Sequence, residues 1–263
     1  MTTPYPDMPR RAYWLPNTLT GLALAAGFFA IVAAIDGNFA RAGIAVFIAG
    51  VFDSLDGRVA RFTNTASAFG KEFDSLSDMV AFGLAPAVVV YQWGVERLTD
   101  YNLAWGRLGW LVTFAYVVAA AIRLARFNSI ANARGEDDTP DRYFEGLPSP
   151  AAAALVAAFV WLSAAEGVAG FAGLAMAFVI TAAAGALMIS PVRYRSFKEF
   201  SAVGYAVAGF SALLAIWLVT FNPPAALFWV CATYAALGPL LAAIGLLRKR
   251  PSTTSGAEKG DDA

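Results

Sequence analysis

The feature that most constrains this chain is a set of long stretches without a charged residue. Residues 12–35 form one such run of 24, residues 146–165 a run of 20, and residues 167–192 a run of 26. A fourth run, 200–247, has 48 residues and is interrupted by Asn222-Pro223-Pro224, which is typical of a turn between two helices. Because about 20 apolar residues cross a bilayer as a helix, these runs predict an integral membrane protein.

The composition supports this class and excludes several others. Hydrophobic residues make up 59% of the chain and charged residues 14%, and the formal net charge is zero, so no nucleic-acid partner is expected. The chain has no histidine and a single cysteine, Cys231, in an apolar run. This excludes a Ser-His-Asp triad, an intrachain disulfide and cysteine-based zinc or iron–sulfur sites. Any bound metal is therefore expected to have oxygen ligands, which favours Mg²⁺, Mn²⁺ or Ca²⁺.

The expected fold class is an all-α polytopic membrane protein with about eight transmembrane helices. With the N-terminus placed in the cytoplasm, 16 of the 19 basic residues fall on the cytoplasmic side, and such an asymmetry sets the orientation of membrane proteins. Both termini are therefore expected in the cytoplasm. The predicted spans are 15–35, 42–62, 70–94, 106–126, 149–166, 169–190, 202–221 and 225–247.

Four aspartates, Asp53, Asp56, Asp74 and Asp78, interrupt the apolar pattern. A carboxylate at the centre of a membrane costs about 2.5–3.5 kcal/mol, so such residues usually have a function. Each pair has helical spacing and shares a helix face. A tight turn through residues 63–65 would bring the two faces together as an oxygen-only site for hard divalent cations. Two such ions suit phosphoryl chemistry.

Small and basic residues accompany the acidic pairs. Gly57 and Ala60 remove bulk from the face that carries the first pair, and Arg61 offers paired donors to a phosphate. Since glycine inside a helix costs about 1 kcal/mol relative to alanine, Gly57 indicates that a ligand approaches the helix closely. From the spacing of the aspartates alone, a cation or proton path in a transporter remains an alternative.

The complete pattern resembles the signature of the CDP-alcohol phosphotransferases: D-x-x-D-G-x-x-A-R, eight residues, then G-x-x-x-D-x-x-x-D. The resemblance implies two divalent cations, Mg²⁺ or Mn²⁺, bound by the four aspartates, with Asp74 bridging both and Asp78 also acting as the base on the acceptor hydroxyl. It implies that Gly57, Ala60 and Arg61 contact the CDP part of the donor. The matching positions are Asp53, Asp56, Gly57, Ala60, Arg61, Gly70, Asp74 and Asp78.

Other segments resemble the bacterial, membrane-embedded phosphatidylserine synthases of that family. They are L-P-N-T-L-T at 15–20, R-L-A-R-F-N at 123–128, F-E-G-L-P-S-P-A-A-A at 144–153 and L-M-I-S-P-V-R-Y-R-S-F-K at 187–198. This resemblance implies CDP-diacylglycerol as donor, L-serine as acceptor, phosphatidylserine and CMP as products, and a homodimer. It also implies location in the cell (inner) membrane with the active site facing the cytoplasm.

The same resemblance assigns further residues to the donor, and the chemistry of serine suggests others for the acceptor. Asn17 and Thr20 are expected to hold the nucleotide and Ser67 the donor phosphate. Serine is a zwitterion whose carboxylate needs a cation, and Arg126 with Asn128 is the favoured pair, with Arg123 as a further candidate. Simple snorkelling of the two arginines at a helix end is the alternative explanation.

The alternatives to serine transfer are another acceptor alcohol, namely glycerol phosphate, inositol phosphate or choline, and a cation-coupled transporter.

The predicted organisation is one catalytic unit with short polar ends. The expected parts are a cytoplasmic segment 1–12, a transmembrane catalytic domain 13–248 with its signature hairpin at 53–78, and a disordered cytoplasmic tail 249–263.

Overall fold

Within the described residues, the charge-free runs of the sequence fold as long helices, and the more polar segments beside them also contain helices. A computed structural model describes residues 14–63, 67–133, 143–168, 170–195 and 220–248. Its helices are α1 (Trp14–Ile35), α2 (Phe39–Phe62), α3 (Ala68–Asp78), α4 (Ala85–Trp93), α5 (Leu103–Ala133), α6 (Ser149–Ala165), α7 (Phe171–Ile189) and α8 (Pro223–Arg248). A π-helical turn (Met79–Leu84) joins α3 to α4, a 3₁₀ turn (Val95–Asp100) precedes α5, and the strands are β1 (Tyr143–Glu145) and β2 (Arg193–Arg195).

The helical class of the prediction is confirmed, and the chain is an integral membrane protein. Within the described ranges, five helices are long and apolar enough to span a membrane: α1, the continuous stretch from α3 to α4, α5, α7 and α8. Helix α2 is not among them because it carries five charged residues, namely Arg41, Asp53, Asp56, Arg58 and Arg61. Helix α6 is not among them because it has only 17 residues. The count of eight spans stays a prediction, because the predicted span at 202–221 lies almost wholly outside the described residues. The cytoplasmic location of both termini also stays a prediction.

Helix α6 lies at the centre of the bundle, where it packs against α2, α4, α7 and α8. More than half of its residues are buried, and many of them are alanines. Small residues let helix backbones approach closely, which replaces the hydrophobic driving force that is missing between helices in lipid. Helix α1 packs along α2 and also contacts α3 and α4, so it bridges the two helices that carry the aspartates.

A π-helical turn separates the acidic helix α3 from the buried helix α4. It begins directly after Asp78 and runs from Met79 to Leu84. The hydroxyl of Tyr116 on α5, itself 1% exposed, donates a hydrogen bond of 2.9 Å to the carbonyl of Phe82 within this turn. Such turns often lie at functional sites because they change which way the helix faces on either side.

A short antiparallel ladder ties the start of α6 to the end of α7, which the sequence did not predict. Strand β1 pairs with β2, with Phe144 opposite Tyr194. After β1 the chain turns at Gly146, whose φ of +82° favours glycine. The amide of Gly146 donates to the carbonyl of Val192 at 2.8 Å, and that of Leu147 donates to the carbonyl of Leu187 at 2.9 Å. These bonds fix the point at which α6 begins.

Candidate active site

The four aspartates predicted to bind metal meet where α2 and α3 approach each other. One carboxylate oxygen from each of Asp53, Asp56 and Asp74 lies within 4.8 Å of the other two. The carboxyl group of Asp78 is hydrogen-bonded to that of Asp53. Both acidic pairs therefore converge, as the helical spacing indicated.

The chemistry of this cluster fits hard divalent cations. Its donors are all carboxylate oxygens, the ligand type that Mg²⁺ and Mn²⁺ prefer. Carboxylates this close repel one another when ionised, so the cluster is stabilised by positive charge placed among its oxygens. Asp56 is 5% exposed, and its buried surroundings screen charge weakly. Both the repulsion between the carboxylates and the stabilisation by a cation are therefore stronger at this position.

Two buried hydroxyl groups, one on α1 and one on α3, tie α1 to the helices that carry the acidic cluster. Thr20 is 4% exposed, and its hydroxyl donates a hydrogen bond of 2.6 Å to Oδ2 of Asp56. The hydroxyl of Ser77, one residue before Asp78, donates to the carbonyl of Thr20 at 3.1 Å. One residue of α1 thus contacts both acidic helices and fixes the orientation of Asp56.

The predicted nucleotide-binding face of α2 is open. Gly57 is exposed, and a Cβ placed on it would have no atom of the described part of the chain within 4 Å. Ala60 is half-buried, and the exposed Arg61 donates from Nε to the carbonyl of Gly57 at 3.0 Å. This bond leaves the other guanidinium nitrogens to face a ligand that lies along the helix.

Two further predicted donor-binding residues lie together at the start of α3. Ser67 is the N-cap residue of α3, and its side chain accepts a hydrogen bond of 3.0 Å from the amide of Gly70. A Cβ on Gly70 would lie 3.1 Å from Oγ of Ser67 and 3.3 Å from Oδ1 of Asn17. Asn17 and Ser67 therefore flank the same glycine of the signature.

The three residues predicted to bind the acceptor separate into two places. Arg123 is half-buried, donates from Nη1 to Oγ of Ser149 at 2.7 Å, and interacts electrostatically with Asp78. Arg126 is exposed, and Nδ2 of Asn128 donates to Oγ of Ser75 at 2.8 Å. Arg123, a further candidate in the prediction, therefore has an electrostatic link to the predicted base.

Sequence reasoning missed several residues around the site. Ser149 and Ser75 hold predicted acceptor residues, and Ser77 supports Thr20. Tyr234 on α8 interacts electrostatically with Arg123. The segment F-E-G-L-P-S-P-A-A-A contains Ser149, but no feature within the sequence pairs that serine with an arginine 26 residues earlier.

Comparison with known proteins decides the family. Residues 13–190 match the family model described as CDP-alcohol phosphatidyltransferase. The chain belongs to this family. The part that matches the CDP-alcohol phosphatidyltransferases runs from α1 to the end of α7 and includes every residue of the acidic cluster. Helix α8, with Tyr234, lies outside it.

Several relatives within the CDP-alcohol phosphatidyltransferases carry names that point to one reaction. A CDP-diacylglycerol–serine O-phosphatidyltransferase of Helicobacter pylori is 41% identical over 192 residues, which cover 71% of this chain and 74% of the relative. A protein of the same name from Mycobacterium leprae is 31% identical over 217 residues, 82% of this chain and 70% of the relative. An archaetidylserine synthase of Methanothermobacter thermautotrophicus is 35% identical over 182 residues, 68% of this chain and 69% of the relative.

Proposed function

We propose that this chain is a CDP-diacylglycerol–serine O-phosphatidyltransferase. It transfers the phosphatidyl group of CDP-diacylglycerol to the hydroxyl of L-serine and releases CMP. The observation that carries this proposal is the convergence of Asp53, Asp56 and Asp74, with Asp78 bonded to Asp53, inside a segment that matches the family. The names of the relatives support serine as the acceptor.

The acidic cluster would hold two divalent cations, Mg²⁺ or Mn²⁺. Asp53, Asp56, Asp74 and Asp78 would be their ligands. When bound, the cations supply positive charge that offsets the charge of the pyrophosphate and of the attacking oxygen. Thr20 keeps Asp56 oriented for this role through its short hydrogen bond.

The donor lies along the open face of α2 with its acyl chains in the bilayer. Gly57 and Ala60 leave room for the nucleotide, since no atom of the described residues lies within 4 Å of a Cβ placed on Gly57. Arg61 directs its remaining donors to the pyrophosphate. Asn17, Thr20 and Ser67 complete the donor site from α1 and from the start of α3.

Asp78 acts as the general base in a direct displacement. It accepts the proton of the serine hydroxyl while that oxygen attacks the phosphorus that carries diacylglycerol. The bond between this phosphorus and the bridging oxygen breaks, and CMP leaves with that oxygen. Arg123, Arg126 and Asn128 are the proposed acceptor-binding residues, and Arg123 also interacts electrostatically with Asp78.

The reaction takes place at the cytoplasmic face of the cell (inner) membrane, in a homodimer with cytoplasmic termini. Two features support this orientation: the strong excess of basic residues on one side of the predicted spans, and the need for water-soluble serine to reach the site. Asp53 and Asp56 lie in the C-terminal half of α2, which also carries Arg58 and Arg61, two of the basic residues counted on that side.

CMP release by the purified protein tests the proposal. The protein is supplied with CDP-diacylglycerol and Mg²⁺ or Mn²⁺, then with L-serine, glycerol phosphate, inositol phosphate or choline in turn. Release that requires L-serine and is lost in Asp78→Asn is the expected result. Release with a different acceptor alone would overturn the serine assignment. No release with any acceptor, despite intact Mn²⁺ binding, would favour cation transport.

A further inference from the structure

Arg123 is held by one edge of its guanidinium group. Nη1 donates to Oγ of Ser149 at 2.7 Å, and Ser149 has no exposed surface. The Nε atom of the same arginine is buried and has no hydrogen-bond partner in the described part of the chain. A buried charged donor without a partner costs free energy, so a ligand that satisfies it gains affinity.

The geometry of a guanidinium group shows which ligand fits. The N–H of Nε and one N–H of Nη2 point to the same side, whereas Nη1 lies at the opposite edge. A carboxylate has two oxygens at the right separation to accept from this pair of donors. The bond to Ser149 occupies Nη1 and Nε has no partner, so the Nε–Nη2 edge is the one that a planar anion would fit.

We propose that Ser149 is a positioning residue that aims the Nε–Nη2 edge of Arg123 at the carboxylate of the acceptor. The inference rests on the proposed function, because it assumes an amino-acid acceptor. In serine the carboxylate and the hydroxyl are attached to neighbouring carbons. The electrostatic link between Arg123 and Asp78 places a cation for the first group near the base for the second.

The segment before α6 explains how Ser149 holds its place. Gly146 and Leu147 are both fixed by backbone hydrogen bonds to the end of α7 and the residues after it. The positive φ of Gly146 lets the chain reverse there, and a Cβ at this position would contact the carbonyl oxygen of Met188. Ser149 follows within one turn, at the first position of α6. The hydroxyl therefore belongs to a rigid corner of the bundle rather than to a mobile loop.

The test compares two acceptors that differ only in the carboxylate. L-serine and L-serinamide share the hydroxyl and the amino group, but the amide carries no negative charge. The variants are Arg123→Lys, which keeps the charge but loses the paired donors, Ser149→Ala, and Ser149→Thr, which keeps the hydroxyl. Ser163→Ala is the matched control, because Ser163 is a buried serine further along α6.

The inference predicts changes in acceptor binding alone. Arg123→Lys raises the KM for L-serine about 10- to 100-fold, and Ser149→Ala raises it about threefold to tenfold. The wild type prefers L-serine to L-serinamide, and the ratio of the two kcat/KM values falls toward one in Arg123→Lys. The KM for CDP-diacylglycerol and the Mn²⁺ affinity stay at the wild-type values, Ser149→Thr restores much of the effect, and Ser163→Ala changes nothing.

Two different results would overturn the inference and are distinguishable. If the wild type uses L-serine and L-serinamide equally well, or if Arg123→Lys leaves the KM for L-serine unchanged, the carboxylate does not bind Arg123 although serine transfer stands. If the wild type releases CMP only with a phosphorylated alcohol, the proposed function itself fails. A variant that has simply lost its fold is identified by its loss of Mn²⁺ binding.

Discussion

The hydroxyl of Thr20 donates a hydrogen bond of 2.6 Å to Oδ2 of Asp56, and this bond joins α1 to the acidic end of α2. Both residues are buried, and the acceptor is a carboxylate. Hydrogen bonds to charged groups are about twice as strong as neutral ones, and partners of metal ligands fix the orientation of the ligand. Thr20 therefore acts on the acidic cluster as well as on the nucleotide.

Replacement of Thr20 by valine should weaken metal binding. Since Asp56 loses its orienting donor, we expect Mn²⁺ affinity to fall about 10- to 100-fold, measured by electron paramagnetic resonance titration. Thr20→Ser should bind nearly as tightly as the wild type. Thr18→Val is the control, because the exposed Thr18 donates only to a carbonyl of its own helix. Equal affinity of Thr20→Val and Thr18→Val would contradict this role.

Replacement of Gly57 by leucine should block the donor without harming the fold. The space beside Gly57 is open, so the new side chain meets no protein atom at its Cβ and the bundle stays intact. We expect binding of CDP-diacylglycerol to be lost while Mn²⁺ affinity persists, measured by calorimetry in detergent. Ser54→Leu places the same side chain at an exposed position one turn earlier and should bind the donor normally. Unchanged donor binding in Gly57→Leu would show that the nucleotide does not bind on this face of α2.

Replacement of Gly146 by alanine should destabilise the corner that carries Ser149. Alanine at positive φ costs about 1–3 kcal/mol, and its Cβ would also meet the carbonyl of Met188. We expect a clear fall in Tm in detergent and a higher KM for L-serine. Gly167 also has positive φ, but its Cβ would have nothing within 4 Å, so Gly167→Ala should lower Tm less. Equal losses in both variants would show that the contact with Met188 is unimportant.

Replacement of Tyr116 by phenylalanine should disturb the π-helical turn after Asp78. It leaves the buried carbonyl of Phe82 without its donor, which costs about 1–3 kcal/mol of stability. Because the turn begins directly after Asp78, we also expect kcat for CMP release to fall while the KM for the donor stays constant. Tyr91→Phe, at a half-buried position on α4, is the control. An unchanged kcat in Tyr116→Phe would limit Tyr116 to a structural role.

The helices and the acidic cluster could be predicted because their signals are local. The length of an apolar run fixes a membrane helix, and the three- and four-residue spacings put Asp53 with Asp56 and Asp74 with Asp78. The family match then confirmed what the signature implied about the fold. The convergence of the two pairs also followed, because only a short turn separates their helices.

The supporting contacts could not be predicted because they depend on packing between distant segments. Thr20 and Asp56 are 36 residues apart, and Tyr116 and Phe82 are 34 apart. The β1–β2 ladder is too short to produce an alternating pattern, and the π-helical turn after Asp78 has no sequence signature. Arg123 was named only as a further candidate because its distinguishing partner, Ser149, comes from another helix.

The most direct test of the account uses L-serine labelled with ¹⁸O at the hydroxyl, incubated with purified protein, CDP-diacylglycerol and Mn²⁺. If the serine oxygen attacks phosphorus with Asp78 as base, the phosphatidylserine retains the label, the CMP carries none, and Asp78→Asn forms almost no product. Mass spectrometry of the lipid and of the CMP gives both values. Unlabelled phosphatidylserine, labelled CMP, or full activity of Asp78→Asn would contradict the mechanism.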